Sequence, residues 1–407
     1  MQLRTLYLCY FGLREPLVQT QVLPYLRQMA AAGIDVYLLT FEPQLREKWD
    51  SNKLREQQEL LKEDGIRWFC LPYHKKPSIP ATLYDILAGA RFAVKLIRNE
   101  KIDVLHARAH VPMAMALLAQ RFARVKLIFD IRGLMAEEYA DAGIWHPNSR
   151  PFRWIKRLEH IGIRRADQIV VLTNRLRDWL VANELKHLDQ IEVIPCCVDF
   201  GRFDGRSNLQ EAREGISANG RFEVVYAGSL GGLYLVEEMG YFFKAIKEQR
   251  PDAFLRILSG SLPEQAAAAL KRAGVDERDY KIEAVAPVEV FTHLRRARLG
   301  VSFRKPTFAQ IAASPTKIPE YLAAGLPVVC NADIGDMDEL VKREQIGVVL
   351  HSFDEKAYKV GAADAIALAN DDRMHDRAMK IAHKYFDLTT VGRDGYVNVY
   401  RRLAEHL

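Results

Sequence analysis

Phe222-Glu-Val-Val-Tyr-Ala-Gly-Ser-Leu-Gly-Gly-Leu-Tyr234, in the middle of the chain, joins an apolar, β-branched run of strand length to a glycine-rich turn. A longer segment of helical period follows, and the pattern repeats at Phe254–Leu258, Ile282–Val285, Leu299–Phe303, Pro327–Cys330 and Gly347–Leu350. The same alternation comes before it, at Thr5–Phe11, Asp35–Leu39, Val104–His106, Leu127–Ile131, Gln168–Leu172 and Ile191–Ile194. Short apolar strands separated by helices build parallel sheets with helices on their faces. At 407 residues the chain exceeds one ordinary core, so the two series read as two domains with sheets of about six strands each.

The predicted fold class is α/β, with two doubly wound Rossmann-like domains facing across a cleft. Asp199–Gly220 is rich in Gly, Asn, Ser and charge and lacks a sustained apolar period, as a surface linker does. The domains then read as 1–200 and 201–385, followed by a C-terminal helix, 386–407, free to pack back on the first domain. Its stripe is Val397, Tyr400, Leu403 and Leu407.

Hydrophobic residues make up 49% and charged residues 27% of the chain, the balance of a soluble globular protein. No apolar run approaches the roughly 20 residues of a bilayer crossing, and the N-terminus reads as a strand rather than a signal peptide, so a cytoplasmic protein is expected. The five cysteines, Cys9, Cys70, Cys196, Cys197 and Cys330, show no CxxC spacing and read as small core residues. Neither GxGxxG after a first strand nor GxxxxGK[ST] is present, which argues against a simple dehydrogenase or a P-loop NTPase. Since fold alone assigns no function, the residues to read are those just beyond the carboxyl ends of the strands.

In the second half these include Arg304-Lys305-Pro306 and Ser314-Pro-Thr-Lys-Ile-Pro-Glu-Tyr-Leu-Ala-Ala-Gly-Leu-Pro-Val-Val329. Ser314 or Thr316 can cap a short helix that stops at Gly325, and Pro319 favours the start at Thr316. Its free N–H groups, with Lys317, Arg304 and Lys305, suit a diphosphate. Glu320, three residues after Lys317, can accept hydrogen bonds from two ribose hydroxyls. The plainer alternative is a solvated Lys317–Glu320 pair on a capped surface helix.

The run from Ser314 resembles the donor-binding signature of family 4 glycosyltransferases, retaining enzymes of the GT-B fold, and the resemblance extends over almost the whole chain. Gly228, Ser229, Gly231 and Gly232 resemble the family's glycine-rich turn, Ile194-Pro-Cys-Cys-Val-Asp199 with Phe203 its domain junction, and Asp167-Gln-Ile-Val-Val-Leu-Thr173 the strand before that. It implies a nucleotide-sugar donor, a ribose-holding role for Glu320, and no cofactor. It also implies base recognition by backbone near Glu283–Val288. Two departures stand out. The family's first carboxylate is replaced by Ala312, eight positions before Glu320, and its Arg and Lys in the glycine-rich turn are replaced by Ser229 and Tyr234.

In the first half, Leu127-Ile-Phe-Asp-Ile-Arg-Gly133 places Asp130 and Arg132 at a strand end, as a catalytic pair or as a structural ion pair. The stretch resembles a family subgroup with Asp-x-Arg-Gly where other members carry a histidine. Arg132 stays protonated, so its roles are to hold a phosphate or acidic sugar, or to orient Asp130. Replacing Arg132 with Ala is expected to abolish transfer with little change in melting temperature. Gly12, Gln19 and Gln21 after the first strand, and His106 and His110 in Val104-Leu-His-Ala-Arg-Ala-His-Val-Pro112, are candidate acceptor contacts. The sequence Asp336-Met-Asp338 has the look of a metal pair, but acidic residues at a helix start explain it, and no metal requirement is expected.

Six basic residues fall in the sixteen positions from Arg150 to Arg165, interleaved with Phe152, Trp154, Ile155, Leu158 and Ile161. Such a helix either packs its apolar stripe on the sheet or lies on the inner face of the plasma membrane, as a lipid-linked acceptor would favour. The function that emerges is transfer of a sugar from a nucleotide to a glycan or lipid-linked hydroxyl, in cell-surface polysaccharide or glycoconjugate synthesis, with no nucleic-acid partner. The competing readings are a nucleotide-sugar epimerase on the same fold and a binding-only relative.

Overall fold

A computed structural model describes residues 3–202, 220–287 and 289–405. Residues 203–219, with Phe203 and most of the expected linker, and also Val288 and Leu407, lie outside them. The chain divides into two compact units, Met1–Pro195 with Leu388–Leu407, and Cys196–Asp387.

Among the described residues the first unit holds seven parallel strands: β1 (Arg4–Leu8), β2 (Asp35–Pro43), β3 (Ile66–Tyr73), β4 (Val104–Arg108), β5 (Lys126–Asp130), β6 (Gln168–Val171) and β7 (Ile191–Val193). Their order is β3-β2-β1-β4-β5-β6-β7. The second unit orders β8 (Phe222–Ala227), β9 (Ala253–Leu258), β10 (Tyr280–Glu283), β11 (Leu299–Ser302), β12 (Val328–Asn331) and β13 (Gly347–Leu350) as β10-β9-β8-β11-β12-β13. One strand, β3, goes beyond the about six expected of the first sheet. It lies at the sheet edge, where Arg67 and Pro72 are exposed, so it lacks the continuous apolar run of a central strand. Expected strand ends also shift: β1 stops at Leu8 rather than Phe11, and β2 continues to Pro43.

Strand order reverses beside β1 in the first sheet and beside β8 in the second, the positions where open α/β sheets take ligands. Gly12, Arg108 to His110, and Asp130 to Arg132 lie at or beyond carboxyl ends in the first unit, and Gly228 to Gly232 and Arg304 in the second.

Tyr321 fixes the short helix of the second unit. Its hydroxyl accepts from the Ala227 N–H at 2.8 Å and donates to the Val301 carbonyl at 3.3 Å. Its ring lies over Gly300, where an added Cβ would come within 2.3 Å of ring carbon Cδ2. Gly300→Ala is therefore expected to destabilise the protein by about 1–3 kcal/mol through overpacking, read as a lower denaturation midpoint; an unchanged midpoint would mean that the ring moves freely.

Candidate functional site

In the second unit the turn after β8 runs Gly228 to Gly232, with φ of +131° at Gly228, +84° at Gly231 and +62° at Gly232. Such backbone favours glycine and leaves the chain without side chains where a ligand can approach. Leu230 N–H donates to Ser261 Oγ at 3.0 Å, Tyr226 Oη donates to the Ser229 carbonyl at 2.5 Å, and Gly228 N–H donates to the Leu258 carbonyl.

Helix Lys317–Ala323 starts after Thr316, whose side chain makes no cap bond, while Ser314 Oγ accepts from the Cys196 N–H at 3.1 Å. Neither hydroxyl is the N-cap bond that the sequence suggested, because Ser314 is turned into the core. Lys317 is buried, not solvated: 4% exposed, with Nζ 3.8 Å from the Tyr234 ring centroid and 4.8 Å from that of Tyr226. A Cβ at Gly228 would lie 3.3 Å from its Cε, so the glycine turn and the lysine share one space. Arg304 approaches Tyr234 from β11, its guanidinium 5.0 Å from the ring centroid, and its N–H donates to Asn331 Oδ1. The exposed Lys305 is held through its N–H on the Leu233 carbonyl.

This neighbourhood is strongly positive. Burial and Arg304 lower the Lys317 pKa against the opposing pull of Tyr234 and Glu320. For Tyr234 burial acts upward, but Lys317 and Arg304 outweigh it and the phenol is lowered. Among the described residues neither Lys317 nor Arg304 has a carboxylate within 4.0 Å. Glu320 is half-buried in the helix's first turn. Sequence reading missed Tyr234 as the ring shared by both cations, and Gln310, whose fully buried amide has both ends without a hydrogen-bond partner.

In the first unit Asp130 is fully buried. Its carboxylate faces Arg132 Nε at 3.2 Å, His106 Nε2 at 3.4 Å and Arg108 Nη1 at 3.8 Å, and accepts from Tyr396 Oη at 3.0 Å and Tyr7 Oη at 3.5 Å. Burial acts to raise its pKa, but Arg132, the His106 hydrogen bond and Arg108 hold it far below the carboxylate range. Asp130 has no exposed surface, whereas the side chain of Arg132 beside it is 11% exposed. The network takes Tyr396 and Tyr400 from helix Arg393–Ala404, the latter bonded to Thr5 and His106.

His106 and His110, the expected acceptor contacts, are both enclosed. His106 is wholly buried and its pKa is lowered by that burial, and His110, 1% exposed, is bonded to the buried Glu159 at 2.9 Å. Gln21 is also buried, at 4% exposure. Exposed Gln19 donates to the Leu13 carbonyl, and Gly12 fits tightly, since an added Cβ would meet Pro43 at 2.8 Å. In the first unit, a histidine that reaches solvent beyond a strand end is His74, after β3. Its side chain is 44% exposed, and Nδ1 lies 2.6 Å from Asp85, a buried carboxylate that also accepts from Tyr10 Oη. The signal for it, the edge strand β3, was the one missed in the sequence.

Asp338 accepts from the Asp333 and Glu339 N–H groups at the start of helix Met337–Glu344. Among the described residues no group of three or more His, Cys, Asp or Glu side chains is placed to hold a metal ion, and no helix is long and apolar enough to cross a membrane. The five cysteines are free thiols, all buried but the half-buried Cys70.

The model of Glycosyltransferase Family 4 matches residues 18–202. Sucrose-phosphate synthase from Thermosynechococcus elongatus superposes with a TM-score of 0.74 at 14% identity, covering 100% of both chains. HepE from Anabaena, solved in complex with UDP and glucose, gives 0.67 at 14% identity over 100% of this chain and 99% of its own. A Listeria monocytogenes protein assigned as a UDP-N-acetylglucosamine 2-epimerase gives 0.62 at 14%, over 100% and 97%. No curated protein sequence matches. Two parallel α/β sheets of this order give the chain the GT-B fold of these glycosyltransferase neighbours. Residues 18–202 of the chain are thus similar to Glycosyltransferase Family 4.

Proposed function

We propose that the enzyme moves a sugar from a nucleoside diphosphate donor, held by the second unit, to a hydroxyl of a glycan or lipid-linked acceptor, with retention at the anomeric carbon. Cell-surface polysaccharide or glycoconjugate synthesis is the process it would serve. The observation that carries this reading is the buried Lys317 beside Arg304 and the open glycine turn. A buried cation is costly unless an anion joins it, and a diphosphate against Lys317, Arg304, Lys305 and the N–H groups of Gly231 and Gly232 supplies one.

In the reaction the bond from the anomeric carbon to the phosphate oxygen breaks as the bond to the acceptor oxygen forms on the same face. The acceptor proton passes to the leaving phosphate oxygen. Arg132 cannot accept that proton; its part is to hold charge, with Asp130 fixing its orientation. Lys317 and Arg304 balance the diphosphate, so no metal is required. On the acceptor side, Gln19 and the Asp85-backed His74 are exposed groups beyond strand ends.

Calorimetric titration with UDP, GDP, ADP and dTDP tests the donor site, and absence of binding at millimolar ligand overturns it. Incubation with nucleotide-sugars, with and without acceptor glycans, separates the transferase from an epimerase, which turns over without acceptor, and from a binding-only protein, which does not turn over. Glu320→Gln keeps the shape but loses the charge of the ribose acceptor, and is expected to weaken nucleotide binding at least about tenfold, equal to about 1.4 kcal/mol. A 2′-deoxyribose donor should lose less in the variant, because its missing hydroxyl is part of the same interaction. Equal nucleotide affinity in the two proteins would assign Glu320 to the helix surface instead.

A further inference from the structure

Helix α1 (Ser78–Glu100), helix α2 (His110–Ala119) and helix α3 (Arg150–Arg165) follow β3, β4 and β5 and lie side by side on the first sheet, α2 packing against both of the others. In helix α1 Ile79, Leu83 and Leu87, spaced by four, form one row on the solvent side, 49%, 54% and 60% exposed, with Tyr84 beside them. In helix α3 the apolar residues divide: Ile163 and Gly162 are buried, while Trp154 is 61% and Ile161 43% exposed. An exposed indole and an apolar row of three residues with a tyrosine beside it are unusual on a solvated helix layer.

The charge on this layer is one-sided. Helix α3 has one carboxylate, Glu159, which is buried between His110 and Lys156; Lys156 also reaches Glu137 at 2.7 Å. Helix α1 has Asp85, buried against His74, and Glu100 at its far end. Helix α2 has none. The exposed cations Arg91, Lys95 and Arg98 of helix α1, and Arg153, Arg157 and Arg164 of helix α3, form no ion pair among the described residues.

We infer that this α1–α3 layer of the first unit docks on an anionic lipid bilayer, with Trp154 and the Ile79–Leu87 row in the interfacial region and the arginines and lysine on the headgroups. Unpaired cations around exposed aromatic and aliphatic side chains match a surface that is negative outside and apolar beneath. A nucleic acid would use the cations but leave the aliphatic row in water. The sequence singled out only Arg150–Arg165; the fold adds the row of helix α1. The inference rests on no part of the donor site, so its failure leaves that reading untouched.

The test is co-sedimentation of the full-length protein with vesicles of phosphatidylcholine alone and of equal parts phosphatidylcholine and phosphatidylglycerol. Binding is expected only to the anionic vesicles and should fall as salt shortens the screening length. Each arginine near such a surface changes binding about fivefold, so Arg153→Glu with Arg157→Glu should weaken it by about 25-fold or more. Lys380→Glu with Lys384→Glu, in the other unit, should not. Trp154→Ala should reduce binding severalfold, and brominated anionic lipid should quench the wild-type tryptophan emission, a readout that needs no variant. Absence of binding, equal binding to both vesicle types, or undiminished binding by the arginine variant at unchanged melting temperature overturns the inference. Retention on duplex DNA in place of vesicles would assign the face to nucleic acid and overturn it as well.

Discussion

Replacing Asp130 with Asn is expected to destabilise the first unit by about 3–5 kcal/mol, because it leaves Arg132 and Arg108 as buried charges without their carboxylate. For a unit of this size that is a fall of about 6–20 °C in melting temperature. The pH dependence follows from the direction of the shift. The folded-state pKa of Asp130 is depressed, so its stabilisation is fully present above the ordinary carboxylate value near 4 and is lost as pH falls through the folded value. The difference between wild type and variant should therefore be largest at neutral pH and shrink in acid. A variant that melts with the wild type at neutral pH would show that the network is not a structural unit. Arg132→Ala shares the network, so a loss of stability is expected with the loss of transfer. This differs from the expectation drawn from the sequence, that the melting temperature would hardly change, because Arg132 lies in the buried Asp130 network.

Lys317→Met is expected to give two effects of opposite sign. Nucleoside diphosphate binding should weaken by about 10–150-fold, the equivalent of one charge-assisted hydrogen bond of about 1.5–3 kcal/mol. The ligand-free protein should be no less stable than the wild type, since an apolar chain of similar length replaces a buried ammonium with no carboxylate within 4.0 Å among the described residues. Because the folded-state pKa of Lys317 is lowered, wild-type stability should rise with pH between that value and the ordinary lysine value near 10.4, where the unfolded chain holds more protons. Diphosphate affinity should decline over the same rise in pH, as the ammonium is lost, and the variant should lack both trends. Calorimetry and thermal melts over a pH series read both; unchanged diphosphate affinity in the variant would remove Lys317 from the donor site.

The proposed donor motif was legible residue by residue because its parts are close in sequence. Gly228 to Gly232 is one turn, and Ser314 to Pro327 is one capped helix with its stop. Even there the side-chain directions were not legible. That Ser314 turns inward to the Cys196 N–H, and that Lys317 lies over Tyr226 and Tyr234 rather than in solvent, depends on strands β8 and β11 being neighbours. Burial was less legible in the first unit. His106 and His110 carry the right chemistry at a strand end, but their exposure depends on helices far along the chain, Arg393–Ala404 over the first and Arg150–Arg165 over the second. His74 went unnoticed because its strand is an edge strand with mixed polarity.

What the sequence by itself determined is the class of fold and the place of its working ends. Apolar strand runs alternating with helical periods admit few arrangements other than parallel sheets, and glycine-rich turns mark where a backbone must come close to a ligand. Tertiary structure alone decided burial: that Asp130 is enclosed by Tyr7, His106, Arg108, Arg132 and Tyr396, and that the cations of helices α1 and α3 stand on one layer. Local periodicity fixes which face a residue occupies. Whether that face meets water or a distant segment is set by chain crossings tens to hundreds of residues apart, and charge, desolvation and reactivity depend on that difference.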